Sequence, residues 1–264
     1  MKIISVLNAK GGVAKTTTAL ALADYLSKDH KVLFMDLDPQ ANATSTLLNL
    51  DVGKDAEDPT LYDVIDKWVR RDNRIIEKAI RSTSTKNLDI CPAHLELEPS
   101  KDIFKQKLYR PLELISDILE PVKENYDFVV LDCPADISLY VESAIFTADL
   151  CLVPTTYDMY GFKAVQIVIR FMMSIHRNPD YRKFRILYTR VKSRATKVQE
   201  EMQRYIEVFE KRDVVLPFRI PEEQAVTNAQ SKHDSLMLDK PYKNSTARSA
   251  YKKLGEFVKD YCYE

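Results

Sequence analysis

The sequence predicts an α/β protein: a single doubly wound domain whose mostly parallel sheet is flanked by helices. Short continuous apolar runs alternate with amphipathic helical patterns along the chain, which is typical of parallel strands covered on both faces. Such alternation implies right-handed βαβ units. The 264 residues contain no linker, internal repeat or low-complexity tract. One domain over residues 1–264 is therefore expected.

The strands and helices follow one another in a regular order. Apolar runs of strand length lie at residues 3–7, 32–35, 88–91, 128–131, 150–153, 184–188 and, as the shortest, 214–216. Helical patterns lie at residues 16–27, 62–69, 101–125, 138–147, 162–175, 196–211 and 245–261. Residues 49–59 are expected to form an exposed loop. Residues 70–81 are expected to form a charged surface helix, with a partner-docking surface as the alternative.

The loop between the first strand and the first helix has the composition of a phosphate-binding loop. It reads Lys10-Gly11-Gly12-Val13-Ala14-Lys15-Thr16-Thr17. Backbone N–H groups and the helix N-terminus would converge on a phosphate there, and glycines allow close approach. Lys15 would reach the β- and γ-phosphates, and the Thr16 hydroxyl would bind Mg²⁺. The fold is therefore expected to be P-loop NTPase-like. The alternative for this stretch is a plain basic turn between a strand and a helix that binds no phosphate.

Two alanines stand where the strict phosphate-loop pattern has glycines, namely Ala9 and Ala14. A left-handed backbone costs an L-residue roughly 1–2 kcal/mol. We therefore expect Ala14 to have a negative φ.

Carboxylates follow two of the predicted strands. Asp36 and Asp38 end the second run, and Asp132 ends the run at residues 128–131 in the Walker B form. Side chains at the carboxyl ends of parallel strands line the ligand crevice of a doubly wound fold. Asp38 is placed to orient the attacking water, Asp36 to support the metal shell, and Asp132 to reach Mg²⁺. Taken alone, the Asp-Pro-Gln step at Asp38 could be a plain turn.

Composition excludes several classes of protein. No apolar run approaches the about 18 residues of a membrane span, and the first residues do not form a signal peptide. The four cysteines form no C-x-x-C pair or zinc pattern, so we expect neither disulfides nor structural zinc nor an iron–sulfur cluster. Three of them lie in or beside apolar runs and are expected to be small buried side chains. A cytoplasmic protein is expected.

The net charge is zero, but the two ends of the chain differ in sign. Residues 1–180 carry 21 Lys and Arg against 27 Asp and Glu, whereas residues 181–264 carry 18 against 12. The basic end is compatible with a polyanion-binding face and equally with a solvated surface.

The motifs together resemble the ParA/Soj partition ATPases, which belong to the ParA/MinD group of deviant Walker A NTPases and have McdA-like relatives. The likeness rests on the loop with Lys10 as its extra "signature" lysine, on Asp36-Leu37-Asp38-Pro39-Gln40-Ala41-Asn42, and on Asp132-Cys133-Pro134. Two positions depart from the family pattern. Ala14 replaces a glycine, and Ala135-Asp136 follows Pro134 where the family usually has a second proline.

The resemblance implies a mechanism. Family members bind ATP and Mg²⁺ and close into a sandwich homodimer, in which the signature lysine, here Lys10, reaches the other subunit's phosphates. Lys10, Lys15 and Asp38 would then be the catalytic residues of a slow ATPase stimulated by a ParB-like or other small adaptor protein. Residues bordering the adenine would be Arg190, Pro221 and Glu222, unless these are ordinary loop residues.

The resemblance also implies binding to non-specific DNA and a nucleoid-associated location. Phosphate contacts by Lys and Arg suffice for such binding. The candidates are Lys192, Arg194, Lys197, Arg219, Lys243, Arg248, Lys252 and Lys253. The cargo could be a plasmid, a chromosome locus or a protein organelle such as a carboxysome.

The last helix leaves an alternative open. Its apolar stripe consists of Ala250, Leu254, Phe257, Val258 and Tyr261. This stripe could dock on the sheet as core, or it could be a membrane-targeting tail as in MinD-like membrane switches. Acidic residues near the stripe would oppose anionic lipid, so no stable membrane association is expected.

Overall fold

A seven-stranded sheet forms the centre of the molecule. The computed structural model describes residues 1–49, 59–70, 76–192, 205, 207–232, 234–237 and 241–263. The strands are β1 (Lys2–Val6), β2 (Val32–Asp36), β3 (Arg81–Ser82), β4 (Leu88–Cys91), β5 (Phe128–Asp132), β6 (Leu150–Thr155) and β7 (Phe184–Tyr188). Their order is β3-β4-β2-β5-β1-β6-β7, and every pair is parallel except β3 with β4. This confirms the predicted mostly parallel sheet.

Helices cover both faces of the sheet. They are α1 (Lys15–Leu26), α2 (Asn42–Leu48), α3 (Leu61–Val69), α4 (Ile76–Ala79), α5 (Leu97–Lys107), α6 (Leu114–Leu119), α7 (Leu139–Thr147), α8 (Met159–Ile175), α9 (Gln224–Ser231) and α10 (Thr246–Tyr263). Short 3-10 turns lie at Pro111–Glu113 and Glu120–Val122.

The core lies in two layers because successive strand residues point to opposite faces. In β1, Ile3 packs with α3 and α5 to α8, whereas Ile4 packs with α1 and α10 on the other face. Every residue of β2 and β5 is buried, as the continuous apolar runs predict.

The structure corrects two predicted helices. The pattern at residues 101–125 is not one helix: α5 ends at Lys107, Leu108 is extended, Pro111 begins one 3-10 turn, and Pro121 is the second residue of another. Proline lacks the N–H that a continuing helix needs. Within residues 70–81, the described part contains the short α4 followed by the edge strand β3 in place of one surface helix.

Other predictions have mixed outcomes. The run at residues 214–216 forms a single bridge, in which Val215 pairs with Ile186 of β7. Most of the helix predicted at 196–211 and of the loop predicted at 49–59 lies outside the described residues. The described residues include α2 and α9, which the sequence did not predict.

The last helix docks as core. Ala250, Leu254 and Val258 are buried on α10, which packs against α1. Phe257 and Tyr261 are half-buried against the same layer. The predicted docking of the stripe is therefore confirmed.

Candidate functional site

The phosphate-binding loop connects the central strand β1 to α1. Val13 is buried and anchors the loop, because its carbonyl accepts a hydrogen bond of 3.0 Å from the Thr189 hydroxyl. Gly11 and Gly12 are exposed, and no atom within 4 Å would meet a Cβ at Gly11. The backbone of the loop is therefore open to a ligand, as a phosphate cradle requires.

The expectation for Ala14 is wrong. Its φ is +63°, which is left-handed, and Gly12, two residues earlier, has a φ of +72°. Ala14 caps α1 without a side-chain hydrogen bond. An alanine therefore adopts the conformation that favours glycine, at a cost of about 1–2 kcal/mol.

Lys15 is buried at the start of α1. Its Nζ donates to the carbonyl oxygen of Lys10 at 3.3 Å. Burial lowers the pKa of Lys15, and the nearby carboxylates of Asp132 and Asp38 act in the opposite direction. The ammonium thus lies among acidic groups under the loop, where a phosphate would add further negative charge.

Asp36 and Asp132 stand side by side because their strands are in register. Asp36 on β2 pairs with Asp132 on β5, and Val6 of β1 pairs with Asp132 on its other side. Asp36 accepts hydrogen bonds from the Thr44 N–H at 2.9 Å and hydroxyl at 2.7 Å. Its other oxygen accepts from the Asp38 N–H at 3.2 Å. Asp36 therefore also holds the start of α2, a long-range contact that sequence patterns do not report.

Asp132 is buried at the end of β5. Among the described residues, neither of its carboxylate oxygens has a partner. Burial raises the pKa of Asp132 well above its usual range and Asp36 adds to this rise, whereas the nearby Thr16 hydroxyl and Lys15 ammonium oppose it. Burial also raises the pKa of Asp36 to about 7. Two buried carboxyl groups with raised pKa values, one of them unpartnered, fit a site for a divalent cation.

Asp38 forms both a turn and part of the cavity wall. Its Oδ1 accepts from the Gln40 N–H at 3.0 Å, and its carbonyl accepts from the Ala41 N–H at 2.8 Å. Asp38 also lines a cavity of about 880 Å³ that begins at the phosphate-binding loop. The carboxylate is therefore within the site while its backbone forms the plain turn.

Lys10 is held within its own chain. Its Nζ donates to the Thr156 hydroxyl at 2.7 Å and lies 3.1 Å from both carboxylate oxygens of Asp158. Asp158 also caps α8 by accepting from the Gly161 N–H at 2.8 Å. Burial alone would raise the pKa of Asp158, but hydrogen bonds from Thr156, Gly161 and Lys10 hold it below its usual value. Sequence reasoning missed Thr156 and Asp158, which lie about 150 residues from Lys10.

The residues predicted to border a base do lie beside the loop. Arg190 donates to the Gly12 carbonyl at 3.1 Å and pairs with Glu222 at 3.2 Å. Pro221 is brought to the same place by a bridge with Val191. Arg190, Pro221 and Glu222 all line the cavity.

Comparison with known proteins identifies the family. The AAA domain family (AAA_31) matches residues 1–186. The sporulation initiation inhibitor protein Soj of Bacillus subtilis is 30% identical over 246 residues, which cover 91% of this chain and 92% of Soj. The chromosome partitioning protein ParA of Myxococcus xanthus is 31% identical over 224 residues, or 82% of this chain and 75% of that protein. The chain belongs to the ParA/Soj family of partition ATPases.

Solved structures share the fold of this ParA/Soj-family chain. An ATP complex of Cyanothece McdA has a TM-score of 0.83 at 21% identity, covering 98% of this chain and 96% of that one. A cobyrinic acid a,c-diamide synthase from Mycobacterium smegmatis with ADP and magnesium has a TM-score of 0.78 at 21% identity, covering 100% and 96%. The P-loop NTPase-like fold predicted from the sequence is thus confirmed.

The basic residues of this ParA/Soj-family chain do not all reach the surface. Lys192, Arg219, Lys243 and Lys253 are exposed, and Lys252 is half-buried. The placement of Arg248 on a DNA-binding surface is wrong. Arg248 is 4% exposed, and its guanidinium donates to the Met237 carbonyl at 3.0 and 3.3 Å. Arg194 and Lys197 lie outside the described residues.

Two further features bear on the functional class. All four cysteines are buried, one more than the three for which burial was predicted. Among the described residues, no helix combines the length and apolar character needed to cross a bilayer.

Proposed function

We propose that this chain is an ATPase that positions or segregates a cargo by ATP-dependent dimerisation and binding to non-specific DNA. Membership in the ParA/Soj family supports the partition role. The observation that carries the ATPase proposal is the buried carboxylate of Asp132, which has no partner in hydrogen-bond geometry among the described residues and lies beside the end of β1, close to Thr16 and Lys15. A buried carboxylate of this kind is stabilised by a cation. A nucleotide held by the neighbouring phosphate-binding loop would bring a divalent cation with its phosphates.

The nucleotide is proposed to be ATP with Mg²⁺. Relatives with this fold include an ATP complex of McdA and a synthase with bound ADP and magnesium. Thr16, Asp36 and Asp132 would hold the metal ion, with Asp132 as the principal group because Asp36 is already hydrogen-bonded to Thr44 and Asp38. When bound, Mg²⁺ would neutralise charge on the β- and γ-phosphates.

The protein's own groups would bind and orient the nucleotide. Backbone N–H groups of Gly11 to Thr17 and the Lys15 ammonium would hold the phosphates. Asp38 would orient the attacking water from the cavity wall. Arg190, Pro221 and Glu222 would border the adenine.

Lys10 is proposed to act across a dimer interface. In the single chain its ammonium is neutralised by Asp158, so it must leave that partner before it reaches another subunit's phosphates. A γ-phosphate would supply the replacement counter-charge, which couples ATP occupancy to dimerisation. Hydrolysis would remove that counter-charge and release the subunits.

Variants of Lys10 and Asp38 test this proposal. Lys10→Ala should retain ATP binding but lose ATP-dependent dimerisation and hydrolysis. Asp38→Ala should accumulate as an ATP-bound dimer in light scattering. Lys31→Ala, an exposed lysine just before β2 at the opposite edge of the sheet, is the control and should behave as wild type. Full hydrolysis by Lys10→Ala, or an Asp38→Ala protein that stays monomeric with ATP, would contradict the proposal.

An adaptor protein and a cargo complete the proposed function. A ParB-like or other small adaptor protein would stimulate a weak basal ATPase. The cargo would be a plasmid, a chromosome locus or a protein organelle, and the protein would reside in the cytoplasm on the nucleoid. The MinD-like membrane alternative loses its main support, because the apolar stripe of α10 is packed against α1.

A further inference from the structure

The loop that follows β5 has few attachments to the rest of the molecule. It comprises residues 133–138 and runs from Asp132 to the start of α7. The Cys133 N–H donates to the Val6 carbonyl at 3.1 Å. In the part of the chain that the structure describes, the N–H groups of Ala135, Asp136 and Ile137 make no hydrogen bond. The loop therefore needs another contact to define its path.

An ion pair with α5 provides that contact. Lys101 of α5 donates to the Asp136 carboxylate at 2.9 Å and to Glu98 at 2.6 Å. The Lys101 side chain is 24% exposed and that of Asp136 is 40% exposed, so the pair is partly shielded from water. The second Asp136 oxygen is buried without a partner among the described residues. Asp136 thus belongs to the loop after β5, and its carboxylate is held by Lys101 of α5.

The next turn of α5 offers a matched comparison. Lys105 lies four residues after Lys101 on the same helix, and its Nζ is 2.6 Å from the Glu142 carboxylate of α7. This second pair joins α5 to α7 without touching the loop. The two lysines therefore separate the effect of fixing the loop from the effect of fixing the helix.

We propose that Lys101 and Asp136 are positioning residues of the nucleotide site, whose ion pair holds the loop at residues 133–138 so that the Asp132 carboxylate stays in place for the metal ion. Among the described residues, neither Asp132 oxygen has a partner in hydrogen-bond geometry, so apart from the nearby Thr16 hydroxyl its backbone and the loop that follows fix its position. Ala135 lines the cavity and Asp136 contacts α5, so a displacement of α5 would reach the cavity through this loop. The metal role rests on the proposed ATPase function.

Labelling of the Cys133 thiol tests, without nucleotide, whether the Lys101–Asp136 ion pair holds the loop at residues 133–138. Cys133 is the first residue of this loop and is fully buried, so a maleimide can react with it only after the loop opens. Peptide mass spectrometry separates Cys133 from Cys151, a buried strand residue that serves as internal reference. Lys101→Met should label Cys133 up to about fivefold faster than wild type, since a partly exposed ion pair contributes at most about that factor. Lys105→Met should leave the rate unchanged, and Lys101→Arg should restore it.

A magnesium titration of ATP hydrolysis provides the second readout. Lys101→Met and Asp136→Asn should raise the Mg²⁺ concentration for half-maximal hydrolysis by up to about fivefold, with ATP binding in EDTA unchanged. Equal Cys133 labelling in wild type and Lys101→Met, or the same increase in Lys105→Met, would overturn the proposal. A wild-type protein that neither binds nor hydrolyses ATP would contradict the proposed function. The labelling rates would still decide whether the Lys101–Asp136 ion pair holds the loop at residues 133–138.

Discussion

Ala14 is a local conflict between residue type and backbone in the phosphate-binding loop. Its left-handed φ of +63° favours glycine, yet the position carries a Cβ. We predict that Ala14→Gly raises the free energy of unfolding by up to about 1 kcal/mol, because the relief of strain exceeds the added entropy of the unfolded chain. Urea unfolding without nucleotide measures this change.

A second alanine of the same helix is the control for Ala14. Ala21 lies in the interior of α1 and has no left-handed backbone. Ala21→Gly should lower the free energy of unfolding by about 1 kcal/mol, as glycine does in helix interiors. If both variants are destabilised alike, the strain at Ala14 is relieved by its surroundings, and the prediction is wrong.

Some features of the site could be predicted from the sequence and others could not. Lys15, Asp38 and Asp132 could be predicted because each lies at or beyond the carboxyl end of a strand, and these ends of parallel strands meet at one edge of the sheet. The φ of Ala14 could not, because loop closure between β1 and α1 sets it against the local preference. The ion pair of Lys10 with Asp158 could not either, since it joins residues 148 positions apart.

At the scale of elements, α1 and α10 pack through a glycine. A Cβ added at Gly255 of α10 would lie 2.0 Å from Cδ1 of Tyr25 on α1. We predict that Gly255→Ala destabilises the protein by about 1–3 kcal/mol, the usual cost of overpacking. Chemical unfolding would measure it.

A double-mutant cycle isolates this contact. In a Tyr25→Ala background the ring is absent, and Gly255→Ala should then stabilise the protein by about 0.5–1 kcal/mol through helix propensity. An equal loss of stability in both backgrounds would mean that Tyr25 is not the group that excludes a side chain at Gly255.

The elements themselves were predictable where the chain is apolar and continuous. The six longer runs all became strands, because a strand buried on both faces leaves a plain sequence signal. The edge strand β3 is two residues long and both residues are polar, so no hydrophobic period identifies it. The helix α2 escaped prediction because its start is held by Asp36, a residue of a different element.

An aromatic stack at the end of α8 makes stability depend on pH. The His176 ring stacks on Tyr181 with centroids 4.1 Å apart, and its Nε2 lies 3.2 Å from the Ile145 carbonyl oxygen. Burial lowers the pKa of His176 below its ordinary value of 6.5. As the pH falls below about 6.5, the unfolded chain therefore takes up a proton before the folded protein does, and stability is lost.

The variant His176→Gln removes this proton uptake while keeping a donor for the Ile145 carbonyl. We predict that wild type loses more stability than His176→Gln between pH 7.5 and pH 5.5, as measured by urea unfolding with the slope unchanged. Parallel pH profiles for the two proteins would show that another group is responsible.

At the scale of the whole molecule, the opposite charges of the two chain ends matter only where they reach solvent. The excess of basic residues after position 180 includes Arg248, whose buried guanidinium donates hydrogen bonds to the Met237 carbonyl. A sequence count cannot separate such a residue from an exposed one, because both contribute equally to net charge. The structure divides them, and this division gives a test of the proposed DNA binding.

The test compares Lys253→Gln and Lys192→Gln with Arg248→Gln. Lys253 and Lys192 are exposed, so each substitution should reduce the slope of log affinity for non-specific DNA against log salt by about 0.9, provided that lysine contacts a phosphate. Arg248→Gln should leave that slope unchanged but lower the free energy of unfolding by about 1–3 kcal/mol, because a buried carbonyl loses its donors. The slopes come from fluorescence anisotropy with ATP across a salt series, and the stabilities from urea unfolding. If Arg248→Gln alone changed the salt slope, or if neither lysine variant did, DNA binding would use a different surface from the one proposed.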